Sequence, residues 1–164
     1  MGVAYSKKLH NLFSLGVQFD YLNIFQAAQY GSINSFALEF GVLSKPLENL
    51  SIGAHVFNPT QTQPKFENYE TIPTIMKLGI GYAPSTKLGL FIETEKQLDQ
   101  RPIFKIGSDY QLYESLILRG GLGSNRYNTI TYSFGLGFIE TNIRADIAFV
   151  SDPVLGFSPF LSFG

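Results

Sequence analysis

The chain has 164 residues, enough for one domain, with only 15% charged residues, 15% aromatics and 16 glycines; ordinary soluble domains carry roughly 25% charge. A net charge of -1 with scattered Lys and Arg excludes a basic field for nucleic acid, and the lack of cysteine excludes disulfides, thiolate metal sites and thiol nucleophiles. No stretch approaches the ~18 apolar residues of a membrane helix, and Met1 is followed by no apolar h-region, so a signal peptide is not expected and the chain reads as a mature fragment.

Alternation of apolar with small or polar residues then recurs along the chain and predicts eleven strands. After a first strand at Val3 to Lys8, Phe13, Leu15, Val17, Phe19 and Tyr21 share one face against Ser14, Gly16, Gln18 and Asp20. Phe36, Leu38, Phe40 and Val42 oppose Ala37, Glu39 and Gly41, and Leu50, Ile52, Ala54 and Val56 oppose Ser51, Gly53 and His55. Met76, Leu78, Ile80 and Tyr82 face away from Lys77, Gly79 and Gly81, as do Leu88, Leu90 and Ile92 from Gly89, Phe91 and Glu93. Phe104, Ile106 and Tyr110 oppose Lys105, Gly107 and Asp109, followed by Leu116, Leu118 and Leu122 against Arg119, Gly121 and Gly123. Ile130, Tyr132, Phe134, Leu136 and Phe138 oppose Ser133, Gly135 and Gly137. The last two segments set Ile143, Ala145, Ile147 and Phe149 against Arg144 and Asp146, and Phe157, Leu161 and Phe163 against Ser158 and Ser162. Most segments run about 9–12 residues, near the length a tilted strand needs to cross a bilayer.

Connections alternate in length. Tight ones are expected at His10-Asn11, Lys45 to Asn49, Pro84 to Lys87, Leu112 to Ser115 and Glu140 to Asn142; mostly longer ones at 26–32, 58–73, 97–102, 124–128 and 151–156. Short turns at one rim and long loops at the other is the layout of an outer-membrane barrel. Such barrels have an even strand count with both termini periplasmic, so an odd number of N-terminal strands is expected to be missing: one gives twelve, three give fourteen. The expected fold class is all-β, an antiparallel up-and-down transmembrane barrel, with residues 1–164 expected to form a single barrel domain short of its N-terminal strands and last residues.

A period of two does not say which face points inward, and a soluble lipocalin-like barrel or sandwich shows the same alternation. The polar face here is largely Gly and Ser with one charge per strand, which suits a crowded interior better than a wetted surface. The bulky face suits lipid. On that reading the lumen holds Asp20, Glu39, His55, Lys77, Glu93, Lys105, Asp109, Arg119, Arg144 and Asp146, and their balanced signs suggest cross-strand ion pairs rather than a one-sign lining. Tyr21, Phe25, Phe57, Tyr82, Tyr110, Tyr113, Tyr127 and Phe149, near strand ends, are expected to form interfacial girdles.

Chemistry-bearing patterns are sparse. His55 and Ser51 are the best local hydrolase pair, yet four residues along a strand span about 13 Å, out of hydrogen-bond reach. No catalytic residue, cofactor or metal site is expected; Glu93, Glu95 and Asp99 could hold calcium but read as an ordinary solvated loop. The stretches Gly79-Ile-Gly81, Gly120 to Gly123 and Gly135-Leu-Gly137 lack the following helix of a phosphate loop. The segment 58–73 is long enough to recognise a partner, through Asn58, Pro59, Lys65, Phe66 and Tyr69.

The runs Leu15 to Tyr21, Ser51 to Pro59, Ile92 to Lys96, Lys105 to Tyr110, Leu118 to Leu122 and Asp152 to Ser158 together resemble the PorV/PorQ group of FadL-like outer-membrane proteins. That resemblance implies a fourteen-stranded barrel in the bacterial outer membrane, serving type IX secretion as a non-catalytic accessory that binds cargo or partner barrels. It leaves two alternatives, a passive FadL-like transporter of hydrophobic small molecules and a soluble ligand-binding β-protein. The partners it implies are outer-membrane lipid, a protein of the secretion machinery or its cargo, or a hydrophobic ligand.

Overall fold

The computed structural model describes residues 1–25, 32–61, 72–125, 127, 129–141, 143–152 and 156–164. Eleven antiparallel strands follow one another in a single up-and-down sheet, each paired with its chain neighbours. They are β1 (Gly2–His10), β2 (Phe13–Phe25), β3 (Ser32–Leu47), β4 (Leu50–Phe57), β5 (Ile75–Ser85) and β6 (Leu88–Gln97), then β7 (Ile103–Tyr113), β8 (Leu116–Ser124), β9 (Ile130–Glu140), β10 (Ile143–Asp152) and β11 (Gly156–Phe163). Five connections are only two residues long, at 11–12, 48–49, 86–87, 114–115 and 141–142, and all five lie at one rim. The other rim carries every longer connection.

The expected turns at Lys45 to Asn49 and Pro84 to Lys87 are shorter than the sequence suggests. Strand β3 runs on through Pro46 to Leu47, and β5 through Pro84 to Ser85. Each proline sits where the register shifts, between Ser44 and Leu47 and between Tyr82 and Ser85. A bulge leaves the proline's missing N–H unneeded by the ladder, so the residue that looks like a turn breaker ends inside a strand.

Register assigns the faces. Ile80, Ile92, Ile106, Leu122 and Tyr132 form one row across five strands, all of the apolar parity. The opposite parity gives Gly81, Phe91, Gly107, Gly121 and Ser133. Residues of this second parity from β6 through β10 line one common hollow of about 550 Å³, so the sheet curls with the glycine-and-charge side inward. Leu78, Ile92, Leu118 and Phe134 lie on the outer side at 49%, 58%, 37% and 55% exposure. Large apolar side chains left that open across a whole sheet have no aqueous explanation; lipid is the solvent that tolerates them. Phe19 and Phe36 stack on this outer face at 5.3 Å, and Phe134 and Phe149 at 5.1 Å.

Two of the expected girdle aromatics fall elsewhere. Phe57 pairs with Glu39 and belongs to the inner parity, because β4 ends one residue out of phase with its apolar positions. Phe149 sits three residues inside β10, stacked in the middle of the outer band. Tyr82, Tyr110 and Tyr113 do lie outward near the short-turn rim, and Tyr21 near the other. The side chain of Phe25 lies outside the described residues.

The two edge strands have one neighbour each. At the β11 edge, Arg144 and Gly164 exchange both backbone hydrogen bonds, at 2.8 and 2.9 Å. Antiparallel alternation therefore turns the backbone groups of Phe157, Pro159, Leu161 and Phe163 away from β10. Pro159 contributes no N–H to that row.

An outward arginine at the centre of the lipid-facing band costs about 2–4 kcal/mol. Ile92→Arg should lose that much in denaturant unfolding from lipid vesicles. Gly79→Arg, inward and beside Glu93, with 3.7 Å of clearance from a new Cβ to the Ile92 carbonyl, should lose clearly less.

Candidate functional site

The inner face carries all ten charged residues expected there, and register rather than sequence proximity decides how they meet. His55 Nε2 lies 2.9 Å from Glu39 Oε2, one strand away. Lys77 reaches Glu95 at 3.4 Å, while Lys105 donates to Glu93 at 2.8 Å and to Glu95 at 3.4 Å. Lower on the sheet, Arg119 lies 3.7 Å from Asp109 and bridges directly to Asp146, whose second oxygen accepts from Arg144 at 2.8 Å. Asp20 accepts two bonds from the Gln18 amide, at 2.9 and 3.0 Å. Each carboxylate is thus answered by a donor from its own or an adjacent strand, except that Arg119 spans from β8 across β9 to β10.

Glycine makes that span feasible. Arg119 reaches Asp146 over Gly137, where a Cβ would stand 2.6 Å from the Asp146 carboxylate and 3.0 Å from the guanidinium. Glu95, which its place near a loop marks as solvated, belongs to the same network. It shares parity with Glu93, and that signal was available; instead of facing a calcium ion, it sits between two lysines. Among the described residues no three acidic or histidine side chains converge as a metal site.

The Ser51 and His55 side chains serve separate ends. Ser51 Oγ donates to the Gly81 carbonyl at 3.3 Å, and His55 is engaged with Glu39. Phe91 lies flat over two glycines: a Cβ on Gly89 would meet its ring at 3.0 Å, and one on Gly81 at 3.4 Å. Beside it Gly107 and Gly121 leave the inner face bare as far as Ser133.

At the base of the 58–73 loop, Asn58 is fully buried with a backbone φ of 48°. Its N–H donates to the Leu38 carbonyl at 2.7 Å, its amide to the Ile72 carbonyl at 2.9 Å, and its own carbonyl accepts from Thr74 Oγ1 at 2.7 Å. A left-handed backbone suits asparagine among non-glycine residues. The residue ties both ends of the loop to β3. Pro59 follows it, while Lys65, Phe66 and Tyr69 lie outside the described residues.

No family model and no curated protein matches the sequence. Solved structures do. A mutant porin of Rh. blastica aligns with 99% of this chain and 53% of its own, at TM-score 0.70 and 10% identity. The toluene transporter TodX of Pseudomonas putida aligns with 91% of this chain and 62% of its own, at TM-score 0.66 and 11% identity. The KdgM porin aligns at TM-score 0.53 and 12% identity, over 91% and 81%. The chain spans about half the length of the porin it matches. The fold is that of outer-membrane β-barrels. With an outer face that only lipid can cover, it places this chain in the bacterial outer membrane.

Glycines on the inner face divide by what lies above them. Gly135→Ala, whose Cβ would meet the Ile147 carbonyl at 2.9 Å, should destabilise the folded barrel by about 1–3 kcal/mol through overpacking. Gly41→Ala, with nothing within 4 Å, should leave urea unfolding within about 0.5 kcal/mol of the parent. Asn58→Ala should speed limited proteolysis between Gln61 and Ile72 severalfold. Asn58→Gly, which recovers the φ but not the amide bond, should fall between that variant and the parent.

Proposed function

We propose that this chain is the wall of a non-catalytic outer-membrane barrel that acts as an accessory, binding protein partners rather than conducting a hydrophobic passenger. The observation that supports this is the inner face, where charges satisfy one another across strands. Apolar side chains there form no long track: Leu43 faces Gly53, Phe91 lies between Gly81 and Gly107, and Ile117 between Gln111 and Gly137, while direct apolar pairs such as Phe57 with Ile75 and Ala148 with Phe160 stand far apart on the sheet. A track for a hydrophobic molecule needs those side chains to be contiguous. The resemblance to the PorV/PorQ group extends the reading to type IX secretion, with fourteen strands when three more precede β1. The loop from Asn58 and Pro59 through Lys65, Phe66 and Tyr69 is then the partner-binding segment.

The bare glycine row beside Phe91 favours a second reading, passive passage of small polar solutes. TodX, a toluene transporter, stands for the hydrophobic alternative. Reconstitution of the full-length protein separates all three. An accessory barrel should give no current above lipid leak in planar bilayers and no uptake of toluene into vesicles. A steady, weakly ion-selective current would favour polar passage, and toluene uptake without current would favour the hydrophobic route.

A further inference from the structure

On the outer face, a groove of about 390 Å³ opens at the long-loop rim between β7 and β8, lined by Phe104, Ile106, Leu122 and Ile130 with Arg101 at its head. The four apolar residues share the lipid-facing parity. Lys96, on the outer parity of β6 and paired with Met76, does not line the groove but reaches toward its head: its ammonium donates to the carbonyl of Gln100, the residue before Arg101. Among the described residues neither cation has a carboxylate within 4 Å, although Asp99 belongs to the same connection, whereas the Lys and Arg residues that do form ion pairs, Lys77, Lys105, Arg119 and Arg144, face inward.

Further from the rim, the outer band is interrupted. Ser108 and Gly120 pair across β7 and β8 where neighbouring rows carry Ile106 with Leu122 and Tyr110 with Leu118. A Cβ at Gly120 would have nothing within 4 Å. Two adjacent small residues leave a dip in the wall next to Ile106 and Leu122. From Pro102 to Ser108 the path covers six residues, about 20 Å of strand, which at a barrel strand's tilt is about 15 Å of depth, one leaflet.

We infer that this groove seats one net-anionic, phosphate-bearing acyl lipid, its phosphate near Lys96 and Arg101 and one chain lying over Ile106 and Leu122 to the dip at Gly120. The charge is right for it: two cations without carboxylates, at the depth where a headgroup sits, attract an anion, and Arg presents a forked donor to phosphate. The shape is right as well, because an apolar trough beneath a cationic head matches a lipid and not a free ion. The inference adds a ligand to the bilayer reading and is independent of what the inner face does.

Native mass spectrometry of the detergent-purified protein tests it, with dimyristoyl phosphatidic acid as the probe. Dimyristoyl phosphatidylcholine serves as the zwitterionic control, and inorganic phosphate as the competitor. One phosphatidic acid per chain should survive at collision energies that strip phosphatidylcholine. The Lys96→Gln/Arg101→Gln double variant should weaken phosphatidic acid retention about tenfold, the size of one charge-assisted hydrogen bond. Gly120→Leu should weaken both lipids alike by filling the dip. Retention of both lipids equally by the parent, unchanged retention by the double variant, or displacement by inorganic phosphate at concentrations equal to the lipid would overturn the assignment. Heat-modifiable migration on gels confirms that each variant remains folded, and the single variants Lys96→Gln and Arg101→Gln supply the same comparison if the double variant does not fold.

Discussion

In hydrocarbon a backbone N–H or C=O has no water to turn to, so every one must find its partner inside the protein. Most of this molecule follows from that constraint. Strands are long because each must carry an unbroken ladder across the apolar layer, and successive strands are neighbours because a tight turn at one rim is the shortest way to supply the next partner. Pro46 and Pro84 are tolerated inside strands because each occupies a bulge, where the ladder already skips a rung. The side chains are then free to divide by solvent: bulk toward lipid, glycine and paired charge toward the interior.

That division is why so much of the fold was legible. A strand's alternation is a local property, and in a barrel it maps one-to-one onto inside and outside; Phe13 to Tyr21 and Ile130 to Phe138 show it without interruption. The same simplicity explains the errors. Pro46 and Pro84 carry a turn signal in any sequence, and only the observed register reveals a bulge instead. Phe57 looks like a rim aromatic because aromatics and strand ends coincide, yet its parity is inward.

The contacts of the inner face were less legible than its membership. Which residues face inward depends on counting by two; which of them touch depends on the stagger between strands, which no single strand records. Arg119 illustrates this, since its partner Asp146 is 27 residues away and reached across an intervening strand. Glu95 shows the complementary failure, in which nearness to a loop outweighed parity with Glu93. The anchoring by Asn58 was invisible because its partners, Leu38, Ile72 and Thr74, are brought together only by the hairpin they close.

Pro159 has a bearing on how such a wall is joined. Its ring occupies the outward-turned row of β11, so any strand docking along that side meets a carbonyl without its companion amide and one rung fewer than a neighbour pairing of equal length. A seam formed along the flank of β11 would therefore start one tooth short in its zipper.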